Sequence, residues 1–350
     1  MTNHKESDLK RAFSEDGELK THVGGQALIE GVMMRGKYNW AVAVREPQQT
    51  MYTEEHELSS GKKRNSWMYW PLVRGCRAFV ESLMLGYKAL EIAALHAYGE
   101  ESEDGSSEES EEVFGKKEMM LSLIFGLVLG IGLFIVLPAI IANVLVGEYD
   151  DATLAWNIVD GLVRVAIFVF YIWLIGRMED IKRMFGYHGA EHKTIHCYEH
   201  GLPLTPENAR SFSRLHVRCG TAFLIMVMII AIFVYTILPI NPLIAAWGVP
   251  DGPLKLMLVI FMRILFLPVI AGVSYEITVK WAGSHPENPL VKLVLWPGMQ
   301  MQYLTTREPD DSMLECAIEA MKLVLEREER EDGKVPGAAP LRSESEMASF

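Results

Sequence analysis

Cysteine is scarce in this chain of 350 residues: four occur, Cys76, Cys197, Cys219 and Cys316, with no Cys-x-x-Cys pair. That argues against a disulfide framework and against a cysteine zinc knuckle. Basic charge is scarce too. Lys and Arg total 33 against 45 Asp and Glu, the formal net charge is -12, and no basic block dominates, which argues against a nucleic-acid partner. There is no P-loop, nucleophile elbow or dinucleotide fingerprint, so the common ATPase, serine-hydrolase and NAD chemistries are disfavoured.

The most informative lack is of any charge over long stretches. None occurs from 119 to 147, and none from 219 to 250. A bilayer core of roughly 30 Å needs about 20 apolar residues of helix, so each run is long enough to span. Two further segments qualify despite Asp160 and Arg164 in one and Arg263 in the other. The expected spans are 119–146, 158–176, 220–240 and 255–276. The fold class that follows is a predominantly α membrane protein: four transmembrane helices, a small N-terminal β unit and cytoplasmic helices.

The acidity is as concentrated as the apolar residues. Residues 99–112 hold eight carboxylates and no base, and without them the net charge would be -4 rather than -12. Such a block repels itself and reads as a solvated linker, 99–117. The ends, 1–21 and 331–350, are polar and expected to be disordered. Glycine-punctuated apolar stretches mark a β unit after residue 22. A charged helix over 71–99 follows, either on the inner membrane surface or under the bundle. A C-terminal segment, 281–330, carries an amphipathic helix over Ser312–Arg330.

Lys and Arg are missing from 147–157 and 241–253 and plentiful in 177–218. The positive-inside rule then places both termini and the central loop, 177–219, in the cytoplasm, with the chain multi-pass in the plasma membrane. The polar start predicts no cleavable signal peptide.

The central loop carries the sharpest chemistry. His188, Glu191 and His192 form His-x-x-Glu-His, the order of inverzincin metallopeptidases. On a helix the two histidines share a face with the carboxylate beside them, the arrangement in which two imidazoles grip zinc while a carboxylate polarises bound water. His196 and His200 continue the spacing, but His196 lies about 12 Å from His188 along a helix axis. Metal–nitrogen bonds of about 2 Å do not let three such histidines close on one ion. Further ligands must come from another element. His216 and Cys219 are the nearest, with Glu30 and Glu199 behind them. The alternative to a metal is that these histidines bind headgroups or carbonyls.

Several stretches together resemble one family, the YqhQ-like bacterial membrane proteins: GGQALIEGVMMRG (24–36), YHGAEHKTIHCYEHGLPLTPENARSFSRLHVRCGT (187–221), LPVIAGVSYEI (267–277) and PGMQMQYLTTREPDDSMLECAI (297–318). The resemblance implies a polytopic membrane protein in which the HGAEH element, His216, Cys219 and Glu30 are shared features. The family's description as metal-dependent enzymes rests on the same His-x-x-Glu-His inference and implies no reaction. The acidic run, His196 and His200 lie outside the shared pattern.

Charges inside spans cost about 2.5–3.5 kcal/mol each on insertion scales, so they need a partner or a cavity. Asp160 and Arg164, four apart, form an intrahelical pair. Arg263 and Asn143 are expected in the same polar layer. Two arginines to one aspartate call for an anionic ligand or a loop carboxylate such as Glu148. Arg210, Arg214 and Arg218 recur every four residues, after the helix start at Thr205-Pro206. That stripe would meet anionic lipid headgroups, or pair with Glu191, Glu199 or Glu276.

Three functions follow. The first is a metal-dependent hydrolase at the cytoplasmic face, with a divalent metal, zinc, on His188, His192 and His216 or Cys219, and Glu191 as base. The second is a non-catalytic scaffold or biogenesis factor with a structural histidine cluster, working with a membrane-protein partner or a second copy. The third is a small-solute transporter using Asp160, Arg164 and Arg263.

Overall fold

A computed structural model of the chain describes residues 22–58, 66–98, 116–147, 153–238, 240–250, 252–282, 285 and 288–332. The acidic run 99–112, Glu148, and nearly all of the two polar ends lie outside the described residues.

The β unit is a four-stranded antiparallel meander in the order β1 (Gly24–Leu28), β2 (Gly31–Arg35), β3 (Asn39–Arg45) and β4 (Met51–Glu57). A two-residue turn joins β1 to β2, with Glu30 at φ 51°. Side chains on a strand alternate between faces. Here both faces are buried, which is why β2 and β3 are apolar between their polar ends, Arg35, Asn39 and Arg45. Trp40, Val42 and Val44 point to one side of β3, and Ala41 and Ala43 to the other, none more than 3% exposed. The first side is covered by helix α1 (Val73–Tyr98) through Ala89, Ala93 and Ala97, a single helix face at four-residue spacing. The second is covered by the C-terminal helix through Met313, Ala317, Met321 and Val324, with Tyr187 and Ala190 completing that core.

The membrane part follows the charge pattern. Helix α2 (Lys116–Ile131) runs through a π-helical stretch, Gly132–Val136, into α3 (Leu137–Val146). Helix α4 spans Thr153–Ile175, α7 Gly220–Ile237 and α9 Pro253–Tyr275, the last prolonged by a π-helical stretch, Glu276–Ala282. Among the described residues, four segments are long and apolar enough to cross a membrane: Ile124–Val146, Leu154–Ile175, Gly220–Ile237 and Pro253–Ala282. The chain is a multi-pass membrane protein. Large apolar side chains such as Phe125, Val144, Leu162, Ile237 and Phe261 stand exposed on its spans, as a lipid-facing surface requires.

The second span begins at Leu154, earlier than the expected 158, and Trp156 and Asn157 belong to its buried face. Asp160 accepts from Arg164 Nη2 at 2.8 Å and from Arg263 Nη1 at 2.5 Å, so the expected intrahelical pair and the inter-helix pair both form. Asn157, unforeseen in that layer, accepts from Arg263 through its side-chain oxygen. Trp156 and Tyr235 lie against the Arg263 guanidinium at 4.6 and 4.7 Å from their ring centroids.

Between the second and third spans lie helix α5 (Glu179–Glu199), the one-turn α6 (Pro206–Arg210) and an irregular return, 211–219. The segment read as a histidine-rich loop is thus mainly helix. The short α8 (Ile240–Ala246) connects α7 to α9. Two helices close the chain, α10 (Pro289–Thr305) and α11 (Asp311–Asp332). The amphipathic periodicity read over Ser312–Arg330 marks α11. Gly298 of α10 meets Ala222 of α7 so closely that an added Cβ would lie 2.6 Å from the alanine's own. Small residues let these two helices cross in contact.

Candidate metal centre

Helix α5 is polar in composition yet buried along Gly186–Cys197, because the sheet, α10, α11 and the return 211–219 surround it. Its histidines at four-residue spacing face that return. The His192 Nδ1–H donates to the Arg214 carbonyl at 2.6 Å, and His196 Nε2–H to the Leu215 carbonyl at 2.9 Å. His188 Nδ1–H donates to the Thr305 carbonyl of α10 at 2.8 Å. A carbonyl only accepts, so these contacts assign the tautomers and leave Nε2 of His188 and His192 as lone-pair donors when the rings are neutral. Lys193, also buried, anchors the return by donating to the carbonyls of Phe212 at 2.7 Å and Arg210 at 3.0 Å. Gln302 of α10 holds His216 on both sides: it accepts from the backbone N–H and donates to the carbonyl, each at 2.8 Å.

Two groups of metal-binding side chains result. In the first, ligand atoms of His188, His192 and Cys219 lie within 4.8 Å of one another. His188 Nε2 is 3.2 Å from Cys219 Sγ, while His192 Nε2, on a residue 1% exposed, has no hydrogen-bond partner among the described residues. The second group is His196, Glu199 and His216. The rings of His192 and His216 are 5.6 Å apart between centroids, so the groups are neighbours along α5. By ligand-atom distance His216 groups with His196 and Glu199, and its ring also lies beside that of His192.

Electrostatics distinguish the two groups. Burial pushes the Cys219 thiol up, but His188 and His192 outweigh it and bring the thiol well below its usual range. Burial opposes charge on His188 as well; the Cys219 thiolate overcomes this and raises the ring to about 9. Each group thus favours the charged form of the other, and a bound metal would displace the proton between them. Cys219 is also the residue preceding the first turn of α7, where a helix N-terminus favours a thiolate. His216 is held neutral by burial first, then by His196, Arg218 and His192. In the second group Arg218 already pairs with Glu199.

Glu191 is 6% exposed. Burial raises its carboxyl, aided by Cys219 and opposed by His188, His192 and the Gly25 N–H, which donates to Oε1 at 3.1 Å. Gly25 allows this approach: a Cβ there would lie 2.8 Å from the Glu191 side chain. His188, Glu191 and Cys219 line one end of a cavity of about 750 Å³.

The remaining expected residues go elsewhere. Glu30 forms a bidentate pair with Arg183 at 2.5 Å and accepts from Tyr187, so it joins neither metal-binding group. Glu276 pairs with Arg74 of α1. His200 ends α5 and donates to the His196 carbonyl. Of the arginine stripe, Arg210 pairs with Asp311, Arg214 donates to the Thr306 carbonyl at 2.5 Å, and Arg218 takes Glu199. Gly25, Gln302 and Thr305 escaped the sequence reading. All three lie in the stretches 24–36 and 297–318 quoted above, where a distant carbonyl or N–H leaves no spacing signature.

The chain matches the family described as "Protein of unknown function (DUF1385)" over residues 70–327. The "Uncharacterized protein YqhQ" of Bacillus subtilis (strain 168) is 33% identical over 310 residues, covering 87% of this chain and 92% of that protein. No solved structure matches. The matched region contains every residue of both histidine groups, and its extent is well over half the chain: this protein belongs to the DUF1385 family of unknown function.

Proposed function

We propose that His188, His192 and Cys219 bind a divalent metal, zinc by donor type, and that the protein is a metal-dependent hydrolase with Glu191 as general base. The observation that carries this reading is the buried, unpartnered Nε2 of His192 beside His188 Nε2 and Cys219 Sγ, with both rings oriented by carbonyls on the opposite nitrogen. Orientation of ligand imidazoles through their other nitrogen is the habit of metal sites. Two imidazoles and a thiolate are a set zinc favours, and three protein donors leave a fourth position for water, as catalytic sites do. When bound, the metal would supply Lewis acidity and a more acidic water. Glu191, held by Gly25, takes a proton from the attacking water and returns it to the leaving group.

The scaffold reading keeps two points in its favour, the depth of burial of Glu191 and the histidines, and the backbone carbonyls that His188, His192 and His196 already hold. One series of variants separates the two. Purified protein should carry about one zinc per chain, as a single three-donor site implies. His192→Ala and Cys219→Ser should lose it, whereas Glu191→Gln should keep it. A wild type without bound metal sinks the metal reading. A Glu191→Gln protein that keeps both its metal and its cellular function leaves the scaffold.

The same proposal places the site and both termini on the cytoplasmic side of the plasma membrane, supported by the Lys/Arg asymmetry of the loops. A C-terminal green fluorescent protein fusion in bacteria should fluoresce, and a periplasm-active phosphatase fused within 241–253 should be active. The reverse pattern inverts the topology.

A further inference from the structure

The 750 Å³ cavity reaches from the histidine group to the level of the spans, and its walls change character on the way. At the inner end stand His188, Glu191 and Cys219, with Thr221 and Thr305 beside them. Beyond these the lining is largely apolar, with Phe79 and Leu83 of α1, Ile172 of α4, Phe223 of α7, Val279 just past α9 and Leu295 of α10, interrupted by Ser82, Tyr275 and Thr278. Three of the six apolar residues belong to segments that cross the membrane. The rim is apolar as well, with Phe79 40%, Leu83 59% and Val279 46% exposed. The entrance is mainly apolar, with Ser82 and Arg218 the exposed polar residues in its lining. A contiguous exposed apolar rim suits contact with hydrocarbon.

We propose that the substrate is a single-chain amphiphile of the surrounding bilayer. Its chain lies along the α4–α7–α9 wall, and its polar head is presented to Glu191. The volume suits one ligand of ordinary small-molecule size. The proposal deepens the hydrolase reading by naming its substrate class. Lateral entry follows from the part of the wall that α4, α7 and the stretch after α9 supply, because these are segments of the spans. The candidate ligands and Glu191 stand together in the lining, so the part of the molecule that reaches them is the part placed for reaction.

The test uses the full-length protein in lipid nanodiscs and a lysophosphatidylcholine carrying a diazirine midway along its chain. Photolysis should label the segments 217–226 and 275–282 several-fold more than the outward-facing 124–129. Ala78→Phe and, independently, Ser82→Phe place bulk in the cavity without touching a candidate ligand. Either should abolish the excess labelling while leaving zinc content unchanged. Labelling of 217–226 no stronger than that of 124–129, or labelling indifferent to both plugs, overturns the proposal. Cavity-specific labelling in a wild type that holds no zinc would keep the amphiphile site and remove the hydrolase reading; zinc without cavity labelling would do the opposite.

Discussion

Replacing Asp160 by alanine should lower the unfolding midpoint of the detergent-solubilised protein by on the order of 10 °C. The carboxylate is 2% exposed and is shared by two guanidiniums, Arg164 at 2.8 Å and Arg263 at 2.5 Å. Removing it leaves two arginines buried between the second and fourth spans without their common counter-charge. Breaking a buried ion pair by deleting one partner costs about 3–5 kcal/mol, because the remaining charge stays desolvated. The cation–π contacts of Arg263 to Trp156 and Tyr235 already exist beside the carboxylate, so they do not replace the attraction lost with it. Arg263→Leu should cost less, since Asp160 keeps Arg164 and the excess cation disappears. Differential scanning fluorimetry reads both variants. A midpoint for Asp160→Ala within experimental error of wild type would mean that other groups neutralise the layer.

Gly189→Val should abolish the ordered form of the protein, and Gly189→Ala should destabilise it despite the better helix propensity of alanine. The position lies between His188 and Ala190 on α5, where a Cβ would stand 2.1 Å from the Arg307 carbonyl oxygen and 3.4 Å from Pro309. The obstacle is backbone. It cannot retreat cheaply, because the Arg307 N–H donates to the Phe185 carbonyl at 2.8 Å and ties the segment after α10 to α5. Alanine would gain about 1 kcal/mol in propensity and lose about 1–3 kcal/mol or more by overpacking. Thr305, whose carbonyl orients His188, lies two residues before the clash. Limited proteolysis and size-exclusion profiles of the two variants check the order of effects; a Gly189→Val protein with the wild-type profile would refute the packing argument.

The spans were legible because hydrocarbon leaves a one-dimensional mark: no charge for the length of a helix, whatever the neighbours are. The shared face of His188 and His192 was legible for a similar reason, since four-residue spacing is local, although the segment as a whole read as a loop. The positions that decide the site were not local. His188 is oriented by Thr305, 117 residues away, and Glu191 by Gly25, 166 away. Nothing in the sequence separated His216 from the His-x-x-Glu-His pair, because its place is set by Gln302 of α10. The arginine stripe left two readings open, lipid headgroups or carboxylates that included Glu199. Two of its members turn to Asp311 and Glu199, because polar α5 and its neighbours fold inward and offer carboxylates nearer than any headgroup. Glu30 looked free for a metal only while Arg183 was unplaced.

Residue order along the chain sets a timetable for the histidine pocket. Synthesis runs from the N-terminus, so Gly25 is made first, His188 and His192 follow, and Arg214 and Cys219 come next. Thr305, which fixes the His188 tautomer, leaves the ribosome only after all four spans have been made. During that interval His192 already has its carbonyl in the nascent chain, while His188 has none. The pocket therefore reaches its final proton arrangement after membrane insertion rather than before it, and a chain truncated ahead of α10 would keep every candidate ligand yet never set the first of them.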